Sequence, residues 1–242
     1  MSANAAVAER ALMDVVVERS REIPEAATSR AMPWNQAQYA REQIQGLVRR
    51  LFVPGWPRPL RQIVFSAADA EIDISGLCRL VGEVLATERA GNVCVVEANT
   101  RTLALEKSFG TTNRHSGEGF QGTGKARKSV RQISRNLFLV EGSFLSCRDG
   151  SASLPWIQTR LSELRDQFEF TVIHADWAGP GTGTALLAHL ADGMVLGIAA
   201  HRTRRAAAQK LQEHLLAADV RLLGVVLSER TFPIPERLYR FL

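Results

Sequence analysis

Six short, almost unbroken apolar runs are the strongest constraint on what this chain can fold into. They fall at 62–66, 92–97, 136–140, 170–174, 194–199 and 221–227, and three of them contain VCVV, VLGIA and LLGVVL. A strand with one wet face alternates apolar and polar residues, whereas a strand apolar throughout is buried on both faces. Between the runs lie stretches at 74–88, 154–168, 183–191 and 203–217 that read as helices. Strand and helix alternating in this way predict an α/β fold: a doubly wound, largely parallel sheet with helices on both faces. In such sheets ligands sit beyond the carboxyl ends of the strands.

Upstream of these runs the pattern is helical. Residues 5–21 place Ala8, Ala11, Leu12, Val15 and Val16 on one face, and 36–52 do the same with Ile44, Leu47, Val48 and Leu51. Pro24 and Pro33 mark the segment between them as a linker, and VPGWPRP at 53–59 ends the second helix. The expected division is an N-terminal helical extension over 1–60 and an α/β domain over 61–242. The chain is 45% apolar over 242 residues, ample for one core. No apolar run approaches the ~20 residues of a membrane span. The best candidate, 185–200, is interrupted by His189, Asp192 and Gly193, and Glu9, Arg10 and Asp14 argue against a signal peptide. Cys78, Cys94 and Cys147 are odd in number and scattered, which reads as reduced thiols of a cytoplasmic protein and gives no metal site. A net charge of +5 leaves an acidic partner surface open.

The chemistry concentrates where strands end. IVFSAADAEIDIS (63–75) joins the first strand to a helix, the place where a phosphate-binding loop reads [AG]-x-x-x-x-G-K-[ST]. In that frame Ile72, Asp73 and Ile74 stand at the Gly, Lys and Ser/Thr positions. Further matches follow in order. Glu42, Gln45 and Val48 lie at the spacing E-x-x-R-x-x-R. VVEANTR (95–101) lies at D-x-D-x-R, FEFTVIHADW (168–177) at a strand ending in Asp, and LLGVVLS (222–228) at a strand usually ending in Asn. The ordered set resembles the cytoplasmic bacterial tyrosine-kinase family of capsule and exopolysaccharide assembly, within the ParA/MinD-like branch of P-loop ATPases. It spans about residues 42–228.

The resemblance implies a nucleotide site, and the substitutions bear on it physically. A phosphate loop works because backbone N–H groups at a helix N-terminus converge on phosphate oxygens, with glycine allowing close approach. Ile72 is β-branched and poorly suited to positive φ. Asp73 inverts the lysine charge. One charge pair at ~4 Å and effective dielectric ~20 is worth roughly 4 kcal/mol, against ~8 kcal/mol for micromolar ATP binding. Ile74 lacks the hydroxyl that holds Mg²⁺, with Ser75 as substitute if the loop is shifted by one. The implied vestigial nucleotide-binding set is Glu71, Ile72, Asp73, Ile74, Ser75, Arg101 and Ser228. If chemistry survives, Asp176 and Glu97 are its candidate carboxylates. Their plainer roles are a turn or helix cap for Asp176 and a strand-end carboxylate with a local partner for Glu97. His174, at the family's aspartate, reads as a packed strand-end histidine. GFQGTGKA (119–126) mimics a phosphate loop but lacks a preceding strand. It reads as part of a basic flexible loop with Lys125, Arg127, Lys128 and Arg131. The family's tyrosine-rich tail is reduced here to Tyr239, with Tyr39 the other tyrosine of the chain.

Three functions are compatible with this reading. The first is a catalytically degenerate pseudo-ATPase, a cytoplasmic scaffold peripheral to the inner membrane through a polysaccharide co-polymerase, with no cofactor. The second is a divergent active ATPase or tyrosine kinase using ATP and Mg²⁺. The third is a ParA/MinD-like adaptor on DNA or a membrane surface, for which no DNA-reading motif is present. Self-association stays open; loss of the two motif arginines argues only against the family's ring.

Overall fold

The computed structural model describes residues 36–52, 60–89, 91–99, 104–110, 130–145, 153–200 and 202–228. The expected helix at 5–21, both proline-rich linkers, Arg101, most of the 111–131 basic loop with its GFQGTGKA stretch, Cys147 and Tyr239 lie outside them. The elements in chain order are α1 (Gln36–Phe52), β1 (Gln62–Ala67), α2 (Ser75–Glu88), β2 (Val93–Ala98), α3 (Ala104–Ser108), β3 (Val130–Ser134), β4 (Leu137–Val140), α4 (Leu154–Gln167), β5 (Phe170–Ala175), α5 (Thr184–Leu190), β6 (Gly193–Ala199), α6 (Arg205–Ala217) and β7 (Leu222–Ser228). The strands form one seven-stranded sheet in the order β3-β4-β2-β5-β1-β6-β7. Every neighbouring pair is parallel except β3–β4.

The sheet is covered on both faces because its strands present apolar residues both ways. From β1, Ile63 and Phe65 pack with Val48 and Leu51 of α1 and Val81 and Leu85 of α2. Val64 faces the opposite layer with Leu161 and Leu164 of α4, Leu187 of α5 and Leu215 of α6. Each such side chain taken out of water contributes about 1.5–3 kcal/mol. α1 belongs to this same core, and Phe52 at its end meets Phe170 of β5 edge to face at 5.4 Å. Val48, in the motif position of an arginine, is fully buried and is not available to another subunit. α2 lies close on β2: a Cβ at Gly82 would come 2.5 Å from Val95 Cγ2. At the other end of β1, Asp192 Oδ2 accepts the N–H groups of Arg61 and Gln62, both at 2.7 Å, while its Oδ1 accepts from Arg165 at 3.0 Å.

The six predicted strands and four predicted interstrand helices are all present, with ends shifted by a residue or two. β3 and α3 were not anticipated. β3 corrects the placement of Arg131, read as part of a flexible basic loop: it lies on the antiparallel edge strand, 7% exposed, ion-paired with Glu141 at 3.7 Å. The strand is short, bulged between Gln132 and Ser134, and carries a charge at its second residue, so no clean alternation marks it in the sequence.

Candidate functional site

A cleft of about 570 Å³ opens at the carboxyl ends of β1, β2 and β5. Neighbouring parallel strands are joined there by chain that must leave the sheet, which makes room for side chains from several segments. The loop after β1 forms one wall. Ala68 N–H bonds to Gly197 O at 2.8 Å, tying the loop's start to β6. Asp69 then organises a turn, its carboxylate accepting Glu71 N–H at 3.2 Å and its carbonyl accepting Ile72 N–H at 3.2 Å. Glu71 is ion-paired with Arg202 beyond β6.

Asp73 is the centre of this wall. Its Oδ1 accepts the N–H of Ser75, the first residue of α2, at 2.8 Å. An anion is therefore already seated at the helix N-terminus, supplied by the chain itself. The side chains on either side turn away into the core. Ile72 and Ile74 are both buried, Ile74 to 3% exposure. A Cβ at Gly197 would lie 2.8 Å from Ile74 Cγ2, so the isoleucine rests directly on the bare backbone of β6. The sequence argument that Ile72 strains a positive-φ position needs correction. No residue in 68–75 has a positive φ, so the loop takes a backbone that β-branched residues accept. Ser75 is buried beneath the wall.

The floor is a buried pair. Glu97 of β2 and His174 of β5 stand opposite each other in register. His174 Nδ1 lies 2.7 Å from Glu97 Oε1. The same carboxylate accepts Asn99 N–H at 3.2 Å on Oε1 and Leu105 N–H at 2.8 Å on Oε2. Glu97 is 1% exposed and His174 2%. An ionised carboxylate only accepts, so the hydrogen of the His–Glu contact is assigned to Nδ1. Glu97 thus has the local partners of its plainer reading, and His174 is packed and hydrogen-bonded. Asp176 lines the cleft one residue past β5, where its Oδ1 accepts Trp177 N–H at 3.0 Å. Its carbonyl accepts the hydroxyls of Ser66 at 2.5 Å and Thr184 at 3.1 Å. Ser228 is not part of the cleft lining; its hydroxyl bonds to Ile198 O at 3.1 Å.

Of the sequence-derived site residues, the structure brings together Glu71, Ile72, Asp73, Ile74, Ser75 and Asp176 around the cleft, with Glu97 behind His174. Asp69, Lys107, Ser108 and Trp177 join them without having been singled out. Lys107 and Ser108 sit on the five-residue helix α3, too short to show a helical period. The thiol of Cys78, on the first turns of α2, is pushed well up by burial and then by the nearby Glu97 and Asp73 charges, partly offset by a backbone hydrogen bond. Among the described residues no group of three His, Cys, Asp or Glu side chains is placed to hold a metal ion. No described helix is long and apolar enough to cross a membrane.

Strand order, helices on both faces and a cleft at the end of β1 define the class: an α/β fold of the P-loop ATPase type. Solved structures narrow it. The BceF tyrosine kinase domain superposes with a TM-score of 0.59 at 15% identity, over 78% of this chain and 76% of that chain. The kinase domain of the Escherichia coli tyrosine kinase ETK gives 0.58 at 14% identity, over 81% and 79%. The MinD cell division protein of Aquifex aeolicus gives 0.55 at 15% identity, over 75% and 72%. The chain shares the fold of bacterial tyrosine kinase domains and ParA/MinD ATPases. No protein-family model matches the sequence, and no curated protein matches it.

Proposed function

We propose that this chain is a catalytically degenerate member of the kinase-like group, a pseudo-ATPase that works by docking. The observation that carries the reading is the Asp73 carboxylate on the Ser75 N–H at the start of α2. A phosphate arriving there meets a like charge where a lysine would be needed, and the first N–H of the helix is already taken. The rest of the donor set does not fit Mg–ATP either. Ile72 and Ile74 are spent in the core, and Glu97, one of the two candidate carboxylates, is bonded to His174 and two backbone N–H groups.

The partner follows from the resemblance: the cytoplasmic face of a membrane polysaccharide co-polymerase, with the chain as scaffold or regulator of exopolysaccharide synthesis and export. Calorimetry with ATP and ADP, with and without Mg²⁺, on folded protein is expected to give no binding at millimolar nucleotide. Mg-dependent binding in the micromolar range would return the cleft to enzymes. Co-purification with the cytosolic segment of a polysaccharide co-polymerase tests the docking half separately; loss of every such contact leaves the scaffold reading without support.

A further inference from the structure

We propose that the cleft takes a guanidinium or alkylammonium group. The proposal rests on the reading that Mg–nucleotide is excluded, and it gives the remaining space a ligand of opposite charge. Two independent observations point the same way. The first is electrostatic. A chain of net charge +5 lines this cleft with Asp69, Glu71, Asp73 and Asp176, against Lys107 and the imidazole of His174. Among the described residues Arg202 also stands beside the loop, and its ion pair with Glu71 cancels that charge, leaving Asp69, Asp73 and Asp176 as the unpaired acids.

The second is the floor. His174 is 2% exposed, yet it lines the cleft. Its Nδ1 is engaged by Glu97, and Nε2 has no hydrogen-bond partner among the described residues. In the neutral tautomer with its hydrogen on Nδ1, the ring offers a lone pair at Nε2. Glu97 is itself fixed by Leu105 and Asn99 N–H groups, so the ring is held in one orientation. A lone pair in an acidic cleft calls for a ligand that brings both hydrogen-bond donors and positive charge. Guanidinium and ammonium groups do both, and phosphate oxygens do neither. Trp177, which lines the same cleft, adds an aromatic ring of the kind that attracts such cations. The group can arrive on a free amine or on an arginine or lysine side chain of another protein; the chemistry recognised is the same.

The test is a titration followed by the ring nitrogens of His174 in long-range proton–nitrogen spectra, assigned with His174→Gln. Agmatine supplies the free guanidinium, and an end-blocked Gly-Arg-Gly peptide supplies it as a side chain. The expected result is a saturable shift of Nε2 with one or both. Asp176→Asn should weaken it by about tenfold or more, the loss of one charge-assisted contact. Glu83→Gln, on the outer part of α2, should leave it unchanged. A response to agmatine alone assigns a small-molecule site, and one to the peptide alone a side-chain socket. No shift with either at millimolar concentration overturns the proposal, as does an equal shift with sodium chloride. Mg–ATP is run in parallel. A shift with neither cation probe nor Mg–ATP removes this inference and leaves the inactive-cleft reading standing. A shift with Mg–ATP instead removes both.

Discussion

Restoring a phosphate-loop sequence should unfold this protein before it restores nucleotide binding. The perturbation is Ile72→Gly, Asp73→Lys and Ile74→Ser, which writes G-K-S into the loop. Ile72 and Ile74 are buried in the layer between α2 and the sheet, so truncating each costs about 3 kcal/mol in lost transfer energy and cavity. Removing Asp73 costs about 1 kcal/mol as the lost hydrogen bond to Ser75 N–H, and a cation in its place about 0.5 kcal/mol more against the helix dipole. The total is roughly 7 kcal/mol before coupling between neighbours, comparable to the whole stability of an ordinary domain at 5–15 kcal/mol. Urea unfolding followed by far-UV circular dichroism measures it, with Asp73→Asn as a control expected to keep the hydrogen bond to Ser75 N–H and stay within about 1 kcal/mol of the parent. A second signature is specific to the packing. Gly197→Ala alone should destabilise, because its methyl meets Ile74 Cγ2, but should be better tolerated in the Ile74→Ser background. A triple variant that loses less than about 2 kcal/mol and binds ATP would refute the reasoning, since the isoleucines would then not be structural.

Three further outcomes follow from the same geometry. Glu97→Ala should cost about 3 kcal/mol in denaturant unfolding, because Leu105 N–H and the His174 ring are left unpaired in the interior; loss under about 1 kcal/mol would mean that water reaches them. Gly82→Ala should destabilise despite the better helix propensity of alanine, by about 1–3 kcal/mol, since its Cβ would stand 2.5 Å from Val95 Cγ2; a stabilised variant would show that α2 can lift freely. Burial raises the thiols of Cys78 and Cys94, so the folded state holds their protons more tightly than the unfolded chain. The unfolded thiols ionise from about pH 8.5, and stability should fall as pH rises above that value, with both thiols slow toward disulfide reagents until unfolding; their fast modification in the folded protein is the contrary result.

The sheet was legible because strands buried on both faces leave unbroken apolar runs, as in Val93–Ala98 and Gly193–Ala199. The β3–β4 hairpin was not, because β3 is a short edge strand with Arg131 buried and paired to Glu141, a pattern that mimics a basic loop. The segment after β1 does lead into a helix, as read from the sequence, but sequence frame alone treats each side chain as facing the ligand. Whether Ile72 and Ile74 face the cleft or the core depends on the backbone path, and that path is set by contacts with Gly197 and Arg202, about 125 residues later in the chain. The floor pair was half visible. Glu97 and His174 were singled out separately, and only the register of β2 with β5 joins them.

The strand order has a kinetic consequence. β1 finds its partners in β5 and β6, so the strand that launches the cleft's loop must wait until residue 175 for its first neighbour and residue 199 for its second. During synthesis α1, β1 and α2 emerge with Ile63, Val64 and Phe65 unpaired, while β2 and β4 can already meet. Closing a loop of about a hundred residues is slow compared with local helix formation, which places β1 late in folding. The amino-terminal half therefore emerges with the apolar residues of β1 unpaired, and a fragment ending before β5 would have no strand on which to lay β1.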